Sequence, residues 1–354
     1  MLIKNFPNIY PIETRNFLAE FNEKYDFSEI RDNLENLRNL KVLIVGDGIV
    51  DEYHYCEPLG KSSKANLIVN RYLENEVFAG GAFAIANHVS GLCDHVQLVT
   101  LLGKESSRED FISENLRPNV KTKFFFREDG PTIVKKRYVH QYSNQKLFEI
   151  NFINDMFVDG DLENQVIDCF ESIVPQYDLV LVSDFGHGFI TEKIFRAIGR
   201  NAKNLAINTQ TNAANAGYNL ITKYKNPNYV CLDESEIRLA AQKKHSDIEE
   251  IAQGIRESLD AHYLVVTLGK RGSVGVNRHG KINRTPIFST RVLDTIGAGD
   301  AFFSFTAPCF ARGLSLDLVS FVGNAVGALA VQIVCNKKPV EKGELLEFIN
   351  TMVK

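Results

Sequence analysis

Between residues 178 and 267, short runs with no alternating polar face are separated by stretches of helical period, and few folds accommodate that alternation. Asp178 to Ser183, Leu205 to Asn208, Tyr229 to Leu232 and His262 to Thr267 read as strands. Thr191 to Asn201 reads as a helix, and Ser246-x-x-Glu249 reads as a capping box that opens another. A strand apolar on both faces must be covered on both, and helices between strands supply the crossovers of a parallel sheet. The expected fold class is α/β, a doubly wound and mostly parallel sheet.

Two segments break the pattern. Lys121 to Phe126 and Val134 to Tyr142 carry charged, aromatic and β-branched residues at roughly alternate positions, which suits a small half-exposed β-sheet lid drawn from about residues 52–75 and 120–150. Residues 1–40 set Phe17, Phe21 and Phe27 among charges and read as an N-terminal helical extension, packed on the body or on a second subunit. The body, residues 41–354, opens at the strand-like Lys41-Val42-Leu43-Ile44-Val45-Gly46.

A formal charge of −4 lacks the basic excess that a phosphate backbone demands, so nucleic acid is not an expected partner. The six cysteines are scattered without a Cys-x-x-Cys pair, which indicates neither a zinc site nor a disulfide framework. Met1 to Tyr10 has no apolar signal core, and Phe321 to Val334 is short and interrupted by Asn324 and Gln332. No membrane partner is expected, and the inferred location is cytoplasmic.

The motif that carries chemistry is Asp294-Thr295-Ile296-Gly297-Ala298-Gly299-Asp300, followed by the apolar helical run Ala301 to Phe305. Gly297, Ala298 and Gly299 have little or no side chain, so their amides can crowd an anion at a helix N-terminus. Asp300, on the same first turn, can take the proton of an attacking hydroxyl. The alternative is a tight turn followed by an ordinary N-terminal helix aspartate.

This segment resembles the C-terminal signature of the ribokinase (PfkB) carbohydrate kinase family, and the likeness extends over roughly residues 41–340. Gly80-Gly81 before a helix is similar to the family's early glycine pair, and Gly46-Asp47 through Asp51 to its opening strand-then-aspartate motif. Asp233-Glu234-Ser235-Glu236 resembles the family's Asn-x-x-Glu motif, and Thr267-Leu268-Gly269 through Gly272 its nucleotide-side strand end. The resemblance implies ATP and Mg²⁺, with Asp300 as the base and Asp47, Asp51, Gly80 and Gly81 holding sugar hydroxyls. It also implies that Glu236 orients magnesium through water, and that Asp233, Thr267, Gly269, Gly272 and Asn324 line the nucleotide site. Asp294 would fix the turn or help hold a monovalent cation such as K⁺.

Within the family the chain is most similar to heptose 7-phosphate kinases, through Val45 to Tyr53, Gly130 to Arg137 and Leu181 to Gly188. Lys135 and Arg137 match basic positions there, and they would suit a substrate that already bears a phosphate; a solvated lid face is the other reading. Two departures fall on the substrate side: Ala84 stands where the family has an Asn, and Asn208 to Asn212 replaces an Asp-Pro-Lys. His187, between two glycines after a strand, is either a ligand-facing or a plain loop histidine. Rival functions are a nucleoside or other carbohydrate kinase of the same fold and a non-catalytic sugar or nucleotide sensor. The lid aromatics, which cannot all be buried by one body, predict a homodimer in which two lids clasp; the alternative is that the N-terminal extension covers them.

Overall fold

The computed structural model describes residues 10–353. Its strands in chain order are β1 (Lys41–Gly46), β2 (Gly48–Lys61), β3 (Ile68–Gly81), β4 (His95–Glu105), β5 (Val120–Pro131), β6 (Val134–His140) and β7 (Lys146–Phe152). They continue as β8 (Leu179–Asp184), β9 (Leu205–Thr209), β10 (Tyr229–Asp233), β11 (Tyr263–Thr267), β12 (Ser273–Asn277) and β13 (Ile282–Thr285). Among the described residues they form two sheets, a nine-stranded one in the order β13-β12-β11-β10-β9-β8-β1-β4-β5 and a four-stranded one in the order β3-β2-β6-β7.

The large sheet is parallel from β5 to β11, and β12 and β13 add antiparallel strands at one edge. Successive residues of its central strands enter different cores. Val42 and Ile44 pack under the helices Ala82–Ser90, Ala298–Ala311 and Leu316–Ala330, whereas Leu43 and Val45 pack under Gly160–Ile173, Glu192–Asn201 and Ile248–Leu259. Two covered faces are the reason these strands carry no polar alternation. Beside β1 the order turns, with β4 on one side and β8 on the other, and such a switch point opens a crevice at the carboxyl ends of the strands.

The lid is β2, β3, β6 and β7, and two expectations need correction, Lys121 to Phe126 as a lid segment and Ser246 as a helix cap. Lys121 to Phe126 belongs to β5, the parallel edge strand of the large sheet. An edge strand covered on one face shows the same alternation as a lid strand, so the pattern alone does not separate them. The N-terminal helices Ile12–Asn22 and Phe27–Glu35 pack on the body, where Phe21 stacks on Phe321 at 4.1 Å and Leu18, Ile30 and Leu34 are buried. They leave the outer face of the lid uncovered, with Tyr72, Phe148, Ile150 and Phe152 exposed. The helix Ile248–Leu259 is capped by Asp247, which accepts from the Glu249 amide, rather than by Ser246. The capping box lies instead at Asp233 and Glu236. No helix among the described residues is long and apolar enough to cross a membrane.

Candidate active site

The carboxyl ends of β9, β10 and β11, the lid and the turn before Ala298 enclose a cavity of about 1210 Å³. Pockets for one small ligand run to about 1,000 Å³, so two reactants have room side by side. Asp51, Gly81, Lys135, Arg137, Asp233, Glu236, Thr267, Gly269, Gly272, Gly297, Ala298, Gly299, Asp300 and Asn324 all line it. The sequence spreads these residues over about 270 positions, and the fold returns them to one cavity.

The turn into Ala298–Ala311 requires glycine at 297, where φ is +84° and a Cβ would meet Asn336 Oδ1 at 2.2 Å. The amides of Gly297, Gly299 and Asp300 have no backbone acceptor among the described residues, and they sit at the positive end of the helix. The Ala298 amide, expected in the same anion hole, donates instead to Thr295 O at 3.3 Å. The free amides at this turn are therefore those of Gly297, Gly299 and Asp300, with Ala298 left out. The Asp300 carboxylate is buried and accepts from Gln210 Nε2 at 2.7 Å. Burial first, and then repulsion from Asp51, raises its pKa to about 7, against the pull of Gln210 and Lys135. A base poised there is close to the pH at which it would act.

Asp51 is ion-paired with Arg137, which also holds Glu149 at 2.6 Å. Gly80 makes room for Asp51, since a Cβ there would lie 2.0 Å from Asp51 Oδ2. Gly80 therefore stands behind the wall, and Gly81, at φ +55°, forms part of it. Asp47 does not line the cavity. It sits in the break between β1 and β2, and its Oδ2 accepts the amides of Phe185 at 2.9 Å and His187 at 3.3 Å. The expected contact of Asp47 with sugar is corrected accordingly: the residue ties the end of β1 to the loop after β8. Burial, then Asp184, pushes its pKa to about 7. His187 is also buried in this loop, and its two ring nitrogens have no hydrogen-bond partner among the described residues. Burial and the charge of Lys135 hold its pKa down at about 4, so the ring is neutral.

Lys135 and Arg137 differ in what they can still bind. Arg137 is neutralised by two carboxylates, whereas Lys135 has no ion-pair partner among the described residues and lies over the Phe185 ring at 5.6 Å. Burial lowers the proton affinity of Lys135, and nearby Asp51 opposes that effect.

At the other end of the cavity, Glu236 accepts the amides of Asp233 at 2.8 Å and Thr211 at 3.2 Å. Burial, then the Asp233 carboxylate, lifts its pKa to about 8. No cation offsets Glu236 among the described residues, so a hydrated divalent ion fits this pair electrostatically. Gly272 has φ +81° and passes within reach of Thr285 O, where a Cβ would stand at 1.9 Å. Asn324 spends its amide hydrogens on Ser273 Oγ at 2.7 Å and Ser320 O at 2.8 Å, which leaves its carbonyl oxygen as the polar group on the wall.

Asp294 does not fit a free monovalent cation. Its Oδ1 already holds Lys146 Nζ at 2.6 Å and the Ile296 amide at 3.1 Å, and its Oδ2 holds Tyr53 Oη at 2.9 Å and the Cys335 amide at 3.2 Å. Sequence reasoning missed Lys146 and Gln210. Gln210 follows the end of β9, and the rule that ligands gather at the carboxyl ends of strands could have found it. No comparable signal marks Lys146.

A family model for pfkB family carbohydrate kinases matches residues 40–337, and the chain belongs to that family. It is an ATP-dependent carbohydrate kinase, transferring phosphate to an alcohol group. Among curated relatives, the bifunctional protein HldE of Campylobacter jejuni subsp. doylei is 26% identical over 294 residues, covering 82% of this chain and 61% of that protein. The chain thus spans about three-fifths of the length of the curated relatives it matches. Phosphofructokinase-2 from Escherichia coli, in complex with potassium, superposes with a TM-score of 0.69 at 15% identity, over 88% of this chain and 99% of that one. Arabidopsis thaliana ribokinase complexed with ribose and ATP gives 0.66 at 18% identity, with the same coverage. At these identities the two structures show the ribokinase-like fold alone.

Proposed function

We propose that the chain phosphorylates a hydroxyl of a sugar phosphate of the heptose 7-phosphate kind. The observation that carries this reading is Lys135, a buried ammonium on the cavity wall with no ion-pair partner among the described residues and near both Asp51 and Asp300. A buried cation left unpaired is costly, and an anionic group on the substrate would compensate it. The likeness to HldE proteins supports the same class.

In this reading Asp51, held by Arg137 and admitted by Gly80, accepts hydrogen bonds from sugar hydroxyls. Asp300 takes the proton of the reacting hydroxyl as its oxygen bonds to the γ-phosphorus of ATP and the bond to ADP breaks. The amides of Gly297, Gly299 and Asp300 hold the charge that develops on the transferring group. Thr267, Gly269, Gly272 and Asn324 receive the nucleotide. Asp233 and Glu236 would hold hydrated magnesium, which supplies positive charge beside the phosphates. The exposed aromatic face of the lid suits a second copy of this chain, giving a homodimer.

An ADP-release screen over free and phosphorylated sugars tests the assignment. Turnover should be highest with a phosphorylated sugar, and Lys135→Met should raise KM for that substrate about tenfold or more while leaving a free sugar little changed. Equal losses on both would remove Lys135 from substrate recognition.

A further inference from the structure

The Asp294 carboxylate is only 2% exposed, and it anchors the turn that carries the anion hole. Through Oδ2 it also fixes the Cys335 amide, in the loop that brings Asn336 against Gly297. A buried carboxylate at such a hub needs a positive charge. Lys146 supplies it from β7, in the lid, with its Nζ 2.6 Å from Oδ1 and 5.4 Å from the centroid of the Tyr53 ring.

Lys146 reaches this position because β7 is irregular. Tyr138 pairs with Phe148 but Val139 pairs with Lys146, so Leu147 is an extra residue in the ladder. In an unbroken strand Lys146 would share the outer face of Phe148 and Ile150. The bulge moves it to the inner face, beside Glu149.

We infer that Lys146 is a tethered substitute for a free monovalent cation, closing the lid on the anion-hole turn and making the protein indifferent to potassium. The ammonium has the same charge as potassium and is delivered by the chain itself. Because it comes from the lid, the charge that steadies the turn is present only when the lid lies against it.

The test compares the wild type with Lys146→Met at constant ionic strength in potassium or tetramethylammonium chloride, the latter ion being too large for the site. The first readout is the thermal unfolding midpoint without ligand, which does not depend on the assigned reaction. The wild-type midpoint should be the same in both salts. That of Lys146→Met should fall in tetramethylammonium and recover in potassium, and the recovery should vanish when Asp294→Asn is added. The second readout is binding of the non-hydrolysable ATP analogue AMP-PNP with magnesium, which should weaken about tenfold for Lys146→Met and be restored by potassium. A wild type stabilised by potassium, a variant indifferent to both salts, or a loss that potassium does not restore would each overturn the inference. This second readout rests on the kinase reading of the cavity. If the wild type failed to bind the analogue in either salt while the midpoints behaved as described, that reading would fall and the role of Lys146 would stand.

Discussion

The Asp300 carboxylate is buried at a cost to stability. It lies near Asp51, and its pKa of about 7 stands well above that of an exposed aspartate. A group whose folded pKa is raised binds its proton more tightly when folded, so it favours folding at low pH and ceases to do so as pH rises through 7. Asp47, at about 7, and Glu236, at about 8, act in the same direction. Two consequences follow for Asp300. The rate kcat/KM should rise with pH along an acid limb centred near 7, because only the deprotonated base works. Asp300→Asn should stabilise the ligand-free protein at pH 8 by roughly 1 kcal/mol or more, read as a higher unfolding midpoint, and the gain should shrink towards pH 5. A midpoint that falls at pH 8 would mean that the carboxylate is stabilised by contacts other than those seen. At this scale much was legible. The motif from Asp294 to Asp300 announced the glycine turn and the place of Asp300 on the cavity wall, but nothing local revealed that Ala298 spends its amide on Thr295.

Among elements, the strands of the large sheet were readable because both faces are covered and their apolar runs are unbroken. The lid was harder. β5 and β6 carry similar mixtures of Lys, aromatic and β-branched residues, and only pairing partners distinguish an edge strand of the body from a lid strand. The bulge at Leu147 lay further still from prediction, since register depends on which residues oppose β7 and not on β7 itself. Its effect on the site is large, because one extra residue turns Lys146 from solvent to Asp294. The glycine pair shows the opposite case. Glycine at 80 and 81 was noted from sequence, and the clash distances give a structural reason for it: Gly80 leaves space for Asp51, and Gly81 adopts a left-handed conformation.

For the whole molecule, the outer face of the lid is the feature left over. Phe148 stacks on Tyr138 at 4.4 Å, His54 lies 5.3 Å from Tyr138 and 5.8 Å from Tyr72, so rings run across all four strands. The N-terminal helices do not cover this stripe, since the stacking of Phe21 on Phe321 commits them to the body. A sheet face of this kind suits a two-fold contact with its own copy, and we propose that two lids clasp. Light scattering should give a dimer for the full chain at micromolar concentration, and Phe148→Ser should shift it towards monomer. A wild-type monomer would contradict the clasp, and so would a dimer unaffected by Phe148→Ser but lost on removal of residues 1–40.

The central claim is that Asp300 removes the proton of the acceptor hydroxyl in the cavity between lid and body. Turnover of Asp300→Asn, measured beside AMP-PNP affinity on the best acceptor from the sugar screen, tests it most directly. The account predicts a kcat lower by about 10²–10⁴ with nucleotide affinity nearly unchanged. Near-normal turnover in that variant would contradict it.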